Sequence, residues 1–231
     1  MIDKSKAKFT IVTAGGIGSR MQQSMPKQFS VLGNLPVLMH SIMRFKTYDS
    51  DMKIVLSLPK NSFSDWENLC RIHHFNLPVK TVAGGRTRFH SVQNALAEIP
   101  ENALVAVHDG VRPLVSQQTI ADAFAAAAEQ GAAVPVFDIP FSLRKLEDTG
   151  SQSVLREHYK EVQTPQVFRA DILKAAYSLD YCESFTDDAS VLEAAGHKIF
   201  LTKGNRENIK ITYPADLIIA EALLNHSEGL F

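Results

Sequence analysis

The chain has little of what most readily declares a function. Nowhere do about 18 apolar residues run together, so no membrane-spanning helix is expected. The apolar run FTIV near the start is too short for the hydrophobic region of a signal peptide. Only two cysteines, Cys70 and Cys182, occur in 231 residues; two scattered thiols in a reducing compartment are expected to be small buried hydrophobes, not a disulfide framework. There is no excess of charge either, with 24 basic against 25 acidic residues and a net charge of -1. Bulk electrostatic binding to nucleic acid is therefore excluded, and any cationic site must be local. No glycine is followed by lysine, which removes the GxxxxGK[ST] phosphate loop. There is no closely spaced His and Cys metal motif and no persuasive Ser-His-Asp set. The expectation is a cytoplasmic, globular protein with neither nucleic acid nor membrane as a partner.

What is present is a rhythm. Apolar, β-rich runs recur as FTIVT (9–13), KIVLSL (53–58), VKTVA (79–83), ALVAVH (103–108) and AAVPVF (132–137), each spaced to admit a helix before the next. Near-continuous apolar strands alternating with helices indicate an α/β domain with a mostly parallel, Rossmann-like sheet covered on both faces. Leu38, Ile42 and Phe45 lie at helical spacing, as do Trp66, Leu69 and His73. The alanine-rich TIADAFAAAAEQG (119–131) is the clearest helix, with Ser116 as its N-cap and Gly131 as its C-cap. After Phe137 the rhythm breaks. DIPFSLRKLEDTGSQSVLREHYKEVQTPQVF carries alternating charge and a DTG turn, and reads as an inserted β-arm at about 138–162. Helices then return at 170–179, 187–196 and 214–226 around a strand at 197–204. One domain over 1–231 is expected, since no linker-like stretch divides the chain.

Ligands of open parallel sheets bind beyond the carboxyl ends of the strands. After the first strand, TAGGIGSRMQQSMPKQF supplies Gly15, Gly16 and Gly18, whose bare backbone can approach phosphate oxygens. The dinucleotide fingerprint GxGxxG fails, because Met21 stands at the third glycine, and a short-chain dehydrogenase would need a Tyr-xxx-Lys pair that is absent. What remains is a glycine loop followed by Arg20, a planar multi-donor fork, and Lys27, a mobile point charge. The two are complementary for holding a polyphosphate at several oxygens.

GGIGSRMQQSMPKQF resembles the signature of the sugar nucleotidyltransferases. With AGGRTRFHSV (83–92), VHDGVRP (107–113), QTPQVF (163–168), TDDASVLEAAG (186–196) and ENIKIT (207–212), nearly the whole chain is similar to the 2-C-methyl-D-erythritol 4-phosphate cytidylyltransferases. The resemblance implies CTP and a polyol phosphate as substrates, Mg2+ as cofactor, and a homodimer formed through the arm. It places Arg20, Lys27 and Lys210 on the triphosphate and the developing charge. Ala14, Gly15, Gly16, Gly18, Gly85, Arg88, Ser91 and Asp109 fall to the nucleotide, and Asp109 also to the metal. Arg112, Ser142, Arg156 and Thr164 fall to the acceptor. Two details depart from the family pattern. Phe141-Ser142 stands where a DT pair is usual, and REHYKEV (156–162) where Arg-xxx-Leu-Trp is usual.

The chemistry suits this composition. A phosphate monoester, with its second pKa near 6, is already mostly dianionic at neutral pH, so no general base has to create the nucleophile. The obstacle is to bring two polyanions together, which calls for cations and positioning. Two rivals stand beside this reading. Ribitol 5-phosphate cytidylyltransferases share the glycine loop, the HDxVRP block and the TPQ motif, whereas TDDASVLEAAG favours methylerythritol phosphate. A non-catalytic nucleotide-binding domain would be expected to have lost the charged trio. Bland readings also apply to several residues: Asp187 and Asp188 as first-turn helix carboxylates, His108 as a satisfied core histidine, and His73 and His74 as solvated surface.

Overall fold

The computed structural model describes residues 6–16 and 26–226. Strands β1 (Lys8–Thr13), β4 (Lys53–Leu58), β5 (Val79–Ala83) and β6 (Leu104–Asp109) form a parallel set in the order β6-β1-β4-β5. The short strands β2 (Val31–Leu32) and β3 (Leu35–Pro36) pair separately as a hairpin. The connections are helical: α1 (Val37–Tyr48) leads to β4, α2 (Phe63–Ile72) to β5, and α3 (Arg88–Leu96) to β6. Then α4 (Gln117–Gln130) leads to β7 (Ala132–Asp138). Both caps of α4 are those expected, the Ser116 side chain accepting from Thr119 N-H and Gly131 adopting a left-handed φ of 91°.

The continuous apolarity of the strands follows from burial on two faces. In β1, Phe9 and Ile11 feed one core cluster and Val12 the other; in β6, Val105 and Val107 oppose Leu104 and Ala106. One cluster takes Leu38, Met39, Ile42 and Phe45 of α1 with Phe124 of α4. The other takes Phe89 and Val92 of α3 with residues of α5 (Ala170–Ala176) and α6 (Asp188–Ala194). The cysteines do not fit the buried-hydrophobe expectation. Cys70 is half-buried at the edge of the first cluster, and Cys182 is exposed, where Ser184 donates a hydrogen bond to its sulfur at 3.1 Å.

The segment after Phe137 is more than an arm. Hairpin strands β8 (Leu143–Leu146) and β9 (Ser151–Val154) project as a separate two-stranded unit. The chain then rejoins the main sheet as β10 (Lys160–Val162), antiparallel to β7, and β11 (Gln166–Arg169), inserted antiparallel between β6 and β7. Strand β11 is a core element that its four residues, lying in a polar stretch, did not announce. Strand β12 (Phe200–Lys203) adds parallel to β7, and α7 (Pro214–Asn225) closes a third cluster of Leu32, Val37, Val111, Leu114, Ile211 and Ala220. Among the described residues no helix is long and apolar enough to cross a membrane.

Candidate active site

Sheet register sets the location of the site. Thr13 at the end of β1 pairs with Asp109 at the end of β6 and with Ser57 of β4, while Leu58 pairs with Ala83 at the end of β5. Four carboxyl ends therefore lie in line. From β1 the chain runs to β4 on one side, whereas β6 lies on the other, so the crevice opens where the crossovers diverge. There a cleft of about 350 Å³ is lined by Ala14, Gly15, Gly16, Lys27, Gly85, Arg88, Ser91, Asp109 and Lys210, together with Thr13, Gln28, Arg86, Thr87 and Val111. Arg20 and Gly18 lie outside the described residues.

Each lining group is held by a local device. Gln28 is buried and its amide donates to Ala14 O at 2.8 Å, which fixes the end of the glycine loop against the segment bearing Lys27. A Cβ on Gly16 would lie 3.8 Å from Lys27 Cε, so the lysine side chain runs past bare backbone. On the opposite wall Thr87 caps α3, and Ser91 Oγ both accepts from Gly85 N-H at 3.0 Å and donates to Thr87 O at 2.9 Å. A Cβ on Gly85 would fall 2.3 Å from His90 Cβ and 2.9 Å from its carbonyl carbon, which no side-chain motion relieves. Gly85→Ala should thus displace this wall and cost about 1–3 kcal/mol of stability, measured as a fall in melting temperature.

Lys210 reaches the cleft by alternation. Its neighbours Ile209 and Ile211 pack into the third cluster, and Ile211 N-H bonds Val111 O at 2.9 Å, so the intervening side chain faces the other way. Its Nζ lies 2.9 Å from Asp109 Oδ2. Arg88 Nε stands 3.6 Å from Oδ1 and Arg112 Nε 3.5 Å from Oδ2. Burial alone would raise the Asp109 pKa, but the charges of Arg88, Lys210 and Arg112 outweigh it and hold the carboxyl well below the usual carboxylate range. Lys27, Arg86, Arg88 and Lys210 line the cleft against one carboxylate there, Asp109, which leaves a local positive excess among the lining groups.

Thr164 and Arg112 stand behind this carboxylate and not in the cleft lining. Because β11 runs antiparallel to β6, the turn entering it brings Thr164 beside Asp109. The hydrogen bonds there have one direction. Asp109 N-H donates to Thr164 Oγ1 at 3.1 Å, Thr164 O-H to His108 Nδ1 at 3.0 Å, and His108 Nε2-H to Arg112 O at 3.0 Å. A carbonyl cannot donate, so the imidazole must carry its proton on Nε2 and accept on Nδ1. The Arg112 guanidinium donates to Asn208 O at 2.7 Å, while Asn208 itself donates to Gln163 Oε1 and Thr164 O at 3.2 and 2.8 Å. Arg112 is 7 % exposed and its Nε finds no hydrogen-bond acceptor among the described residues, so its charge braces Asp109 from below through the ion pair at 3.5 Å.

Burial pushes the His108 pKa down to about 4, keeping the ring neutral at pH 7. The unfolded chain takes up this proton near pH 6.5 and the folded one only near 4, so stability is complete above about pH 6.5 and falls below it. The expected loss by pH 4 is about 3 kcal/mol, readable as urea midpoints across that range. His40, whose pKa burial also lowers, adds in the same direction.

The structure does not bring Ser142 and Arg156 to this cleft. Both lie on the arm, where Arg156 Nη1 donates to Pro140 O at 2.8 Å and Nε faces Glu157 at 3.7 Å. The two acidic neighbours at the start of α6 divide. Asp187 is an N-cap with a capping box to Ser190, as a helix-start role requires. Asp188 is wholly buried against Arg88 and Tyr177, a pairing that adjacency in sequence could not reveal.

Comparison with known proteins places this geometry in a family. Residues 9–226 match the family model described as IspD, 2-C-methyl-D-erythritol 4-phosphate cytidylyltransferase. The chain is 49% identical over 217 residues to the enzyme of that name from Phocaeicola vulgatus, covering 94% of this chain and 99% of the other. Its counterpart from Porphyromonas gingivalis is 47% identical over 218 residues, covering 94% and 97%. The crystal structure of the Thermus thermophilus cytidylyltransferase superposes with a TM-score of 0.77 at 30% identity, covering 95% of this chain and 99% of that one. With a cleft at the switch point and likeness along nearly its whole length, the chain belongs to the 2-C-methyl-D-erythritol 4-phosphate cytidylyltransferase family of nucleotidyltransferases.

Proposed function

We propose that the cleft holds CTP for attack by the phosphate of 2-C-methyl-D-erythritol 4-phosphate. A phosphate oxygen of the acceptor forms a bond to the α-phosphorus as the bond to the β-phosphate breaks, giving 4-diphosphocytidyl-2-C-methyl-D-erythritol and pyrophosphate. The observation that carries this reading is the convergence of Lys27, the bare loop Ala14 to Gly16, and Lys210 on one cleft. Lys27 and Lys210, with Arg20, neutralise charge on the transferring and leaving phosphates, while the wall from Gly85 to Ser91 receives base and ribose. Ser91 contributes mainly by shaping that wall, since its hydroxyl already bridges Gly85 and Thr87.

Mg2+ suits this donor set as an ion carried with the nucleotide. Among the described residues no group of three or more His, Cys, Asp or Glu side chains could hold a metal, and Asp109 is the one carboxylate lining the cleft. A hard cation that retains waters and binds mainly to phosphates needs no more than such a single carboxylate. When bound, it would neutralise charge on the triphosphate, with Asp109 as its protein ligand, direct or through water.

The acceptor site is completed by a second subunit. Phe141, Leu146 and Leu155 are 73 %, 82 % and 67 % exposed, and the two-stranded arm has no core of its own to bury them. Arms exchanged about a twofold axis would cover these side chains and carry Ser142 and Arg156 to the neighbour's cleft. Thr164 and Arg112 would support the acceptor from behind Asp109. The decisive assay is pyrophosphate release from CTP with methylerythritol phosphate and ribitol 5-phosphate offered separately. Release with the former supports the proposal, and preference for the latter overturns it. Light scattering showing an active monomer would overturn the shared acceptor site.

A further inference from the structure

We infer that Asp188 is a positioning residue for the nucleotide, acting through Arg88. The inference rests on the proposed role of Arg88 in the nucleotide wall. Asp188 Oδ2 accepts from Arg88 Nη2 at 2.6 Å, and Oδ1 accepts from the Tyr177 hydroxyl at 2.6 Å. The carboxylate is 0 % exposed, whereas the Arg88 side chain retains 29 % exposure and lines the cleft.

A carboxylate that served only the helix dipole would have no reason to be buried, and the cap of α6 is already supplied by Asp187. The burial of Asp188 is compensated instead by a charge-assisted bond to one corner of a guanidinium and a second bond from a phenol. The Tyr177 ring is itself fixed, stacked on Phe89 with centroids 4.6 Å apart, and Phe89 is the next residue after Arg88. The guanidinium is thereby held at one end while its Nε faces Asp109 at 3.6 Å. Without Asp188, the anion left to pair with Arg88 among the described residues is Asp109. The guanidinium would close on that carboxylate, leave the nucleotide wall and compete with Lys210.

The alternative is a brace between α3 and α6 that matters only for stability. Steady-state kinetics with each substrate varied, alongside thermal melts, separate the two. Asp188→Asn is expected to raise KM for CTP about tenfold and leave KM for the acceptor phosphate within about twofold. Tyr177→Phe removes only the hydroxyl, and should raise KM for CTP about threefold, a change on the scale of one hydrogen bond; it keeps the test open if Asp188→Asn does not fold. A merely structural role would lower the melting temperature and the active fraction in Tyr177→Phe while leaving KM for CTP unchanged, and that result overturns the inference. Arg88→Ala distinguishes the two layers. If it leaves KM for CTP unchanged, the underlying assignment of Arg88 fails. If it raises KM for CTP while neither other variant does, only the role of Asp188 fails.

Discussion

Replacing Lys210 by alanine should lower kcat about a hundredfold, roughly 3 kcal/mol of transition-state stabilisation, without unfolding the protein. The magnitude is that of one charge-assisted contact made mainly as charge develops on the phosphates. The fold should survive because Ile209 and Ile211 anchor this segment by their own burial, and the lysine side chain is 46 % exposed. Lys27→Ala should cost a similar factor from the opposite side of the cleft. Pyrophosphate release under saturating substrates, with circular dichroism melts as the control, reads both. Unchanged kinetics in the two variants would remove the cationic mechanism.

Asp109→Asn should have the larger combined effect, because it changes the charge of a buried cluster by one unit. The carboxylate faces Arg88, Arg112 and Lys210, and without it only Asp188, at the far end of the Arg88 guanidinium, is left among the described residues to offset three cations. We expect about 3 kcal/mol of lost stability, at the lower end for a broken buried ion pair, since Arg88 and Lys210 can turn partly to water. In a chain of this size that is a fall in Tm of about 6 to 12 °C. Activity should fall about a thousandfold in kcat/KM, through misplaced cations. A gain in activity would mean that Asp109 only masks charge and has no part in catalysis. Acid titration separates Asp109 from His108. The carboxyl is held below its ordinary range, so its contribution is present above about pH 4 and lost only as pH falls through the lower folded value. The limb between pH 6.5 and 4 belongs to the imidazoles.

The parallel sheet was legible because burial on both faces writes itself into sequence as apolar runs, and β1, β4, β5, β6 and β7 stand where those runs do. The caps of α4 were legible because Ser116 and Gly131 act on backbone within one turn. Strand β11 was not: Gln166 and Arg169 are polar, and only pairing with β6 and β7, distant in sequence, makes the segment a strand. The cleft divides in the same way. The glycine loop and Lys27 are neighbours in sequence, but the union of Lys210 with Asp109 depends on the third cluster. The pairing of Arg88 with Asp188, a hundred residues apart, left no local trace.

The directed hydrogen bonds behind Asp109 close into a ring, because Arg112 N-H donates to Asp109 O at 3.0 Å. Two backbone amides and two carbonyls fix the sense of circulation, and neither side-chain member can reverse it. Positions 108 and 164 are therefore coupled through one hydrogen-bond circuit. Loss of the threonine hydroxyl strands an amide donor and an imidazole acceptor together, and loss of the imidazole strands the hydroxyl and the Arg112 carbonyl. A side chain without a hydroxyl at 164, or without a ring acceptor and donor at 108, therefore breaks the ring at two bonds at once, so the floor beneath the cleft tolerates less change than the length of either contact suggests.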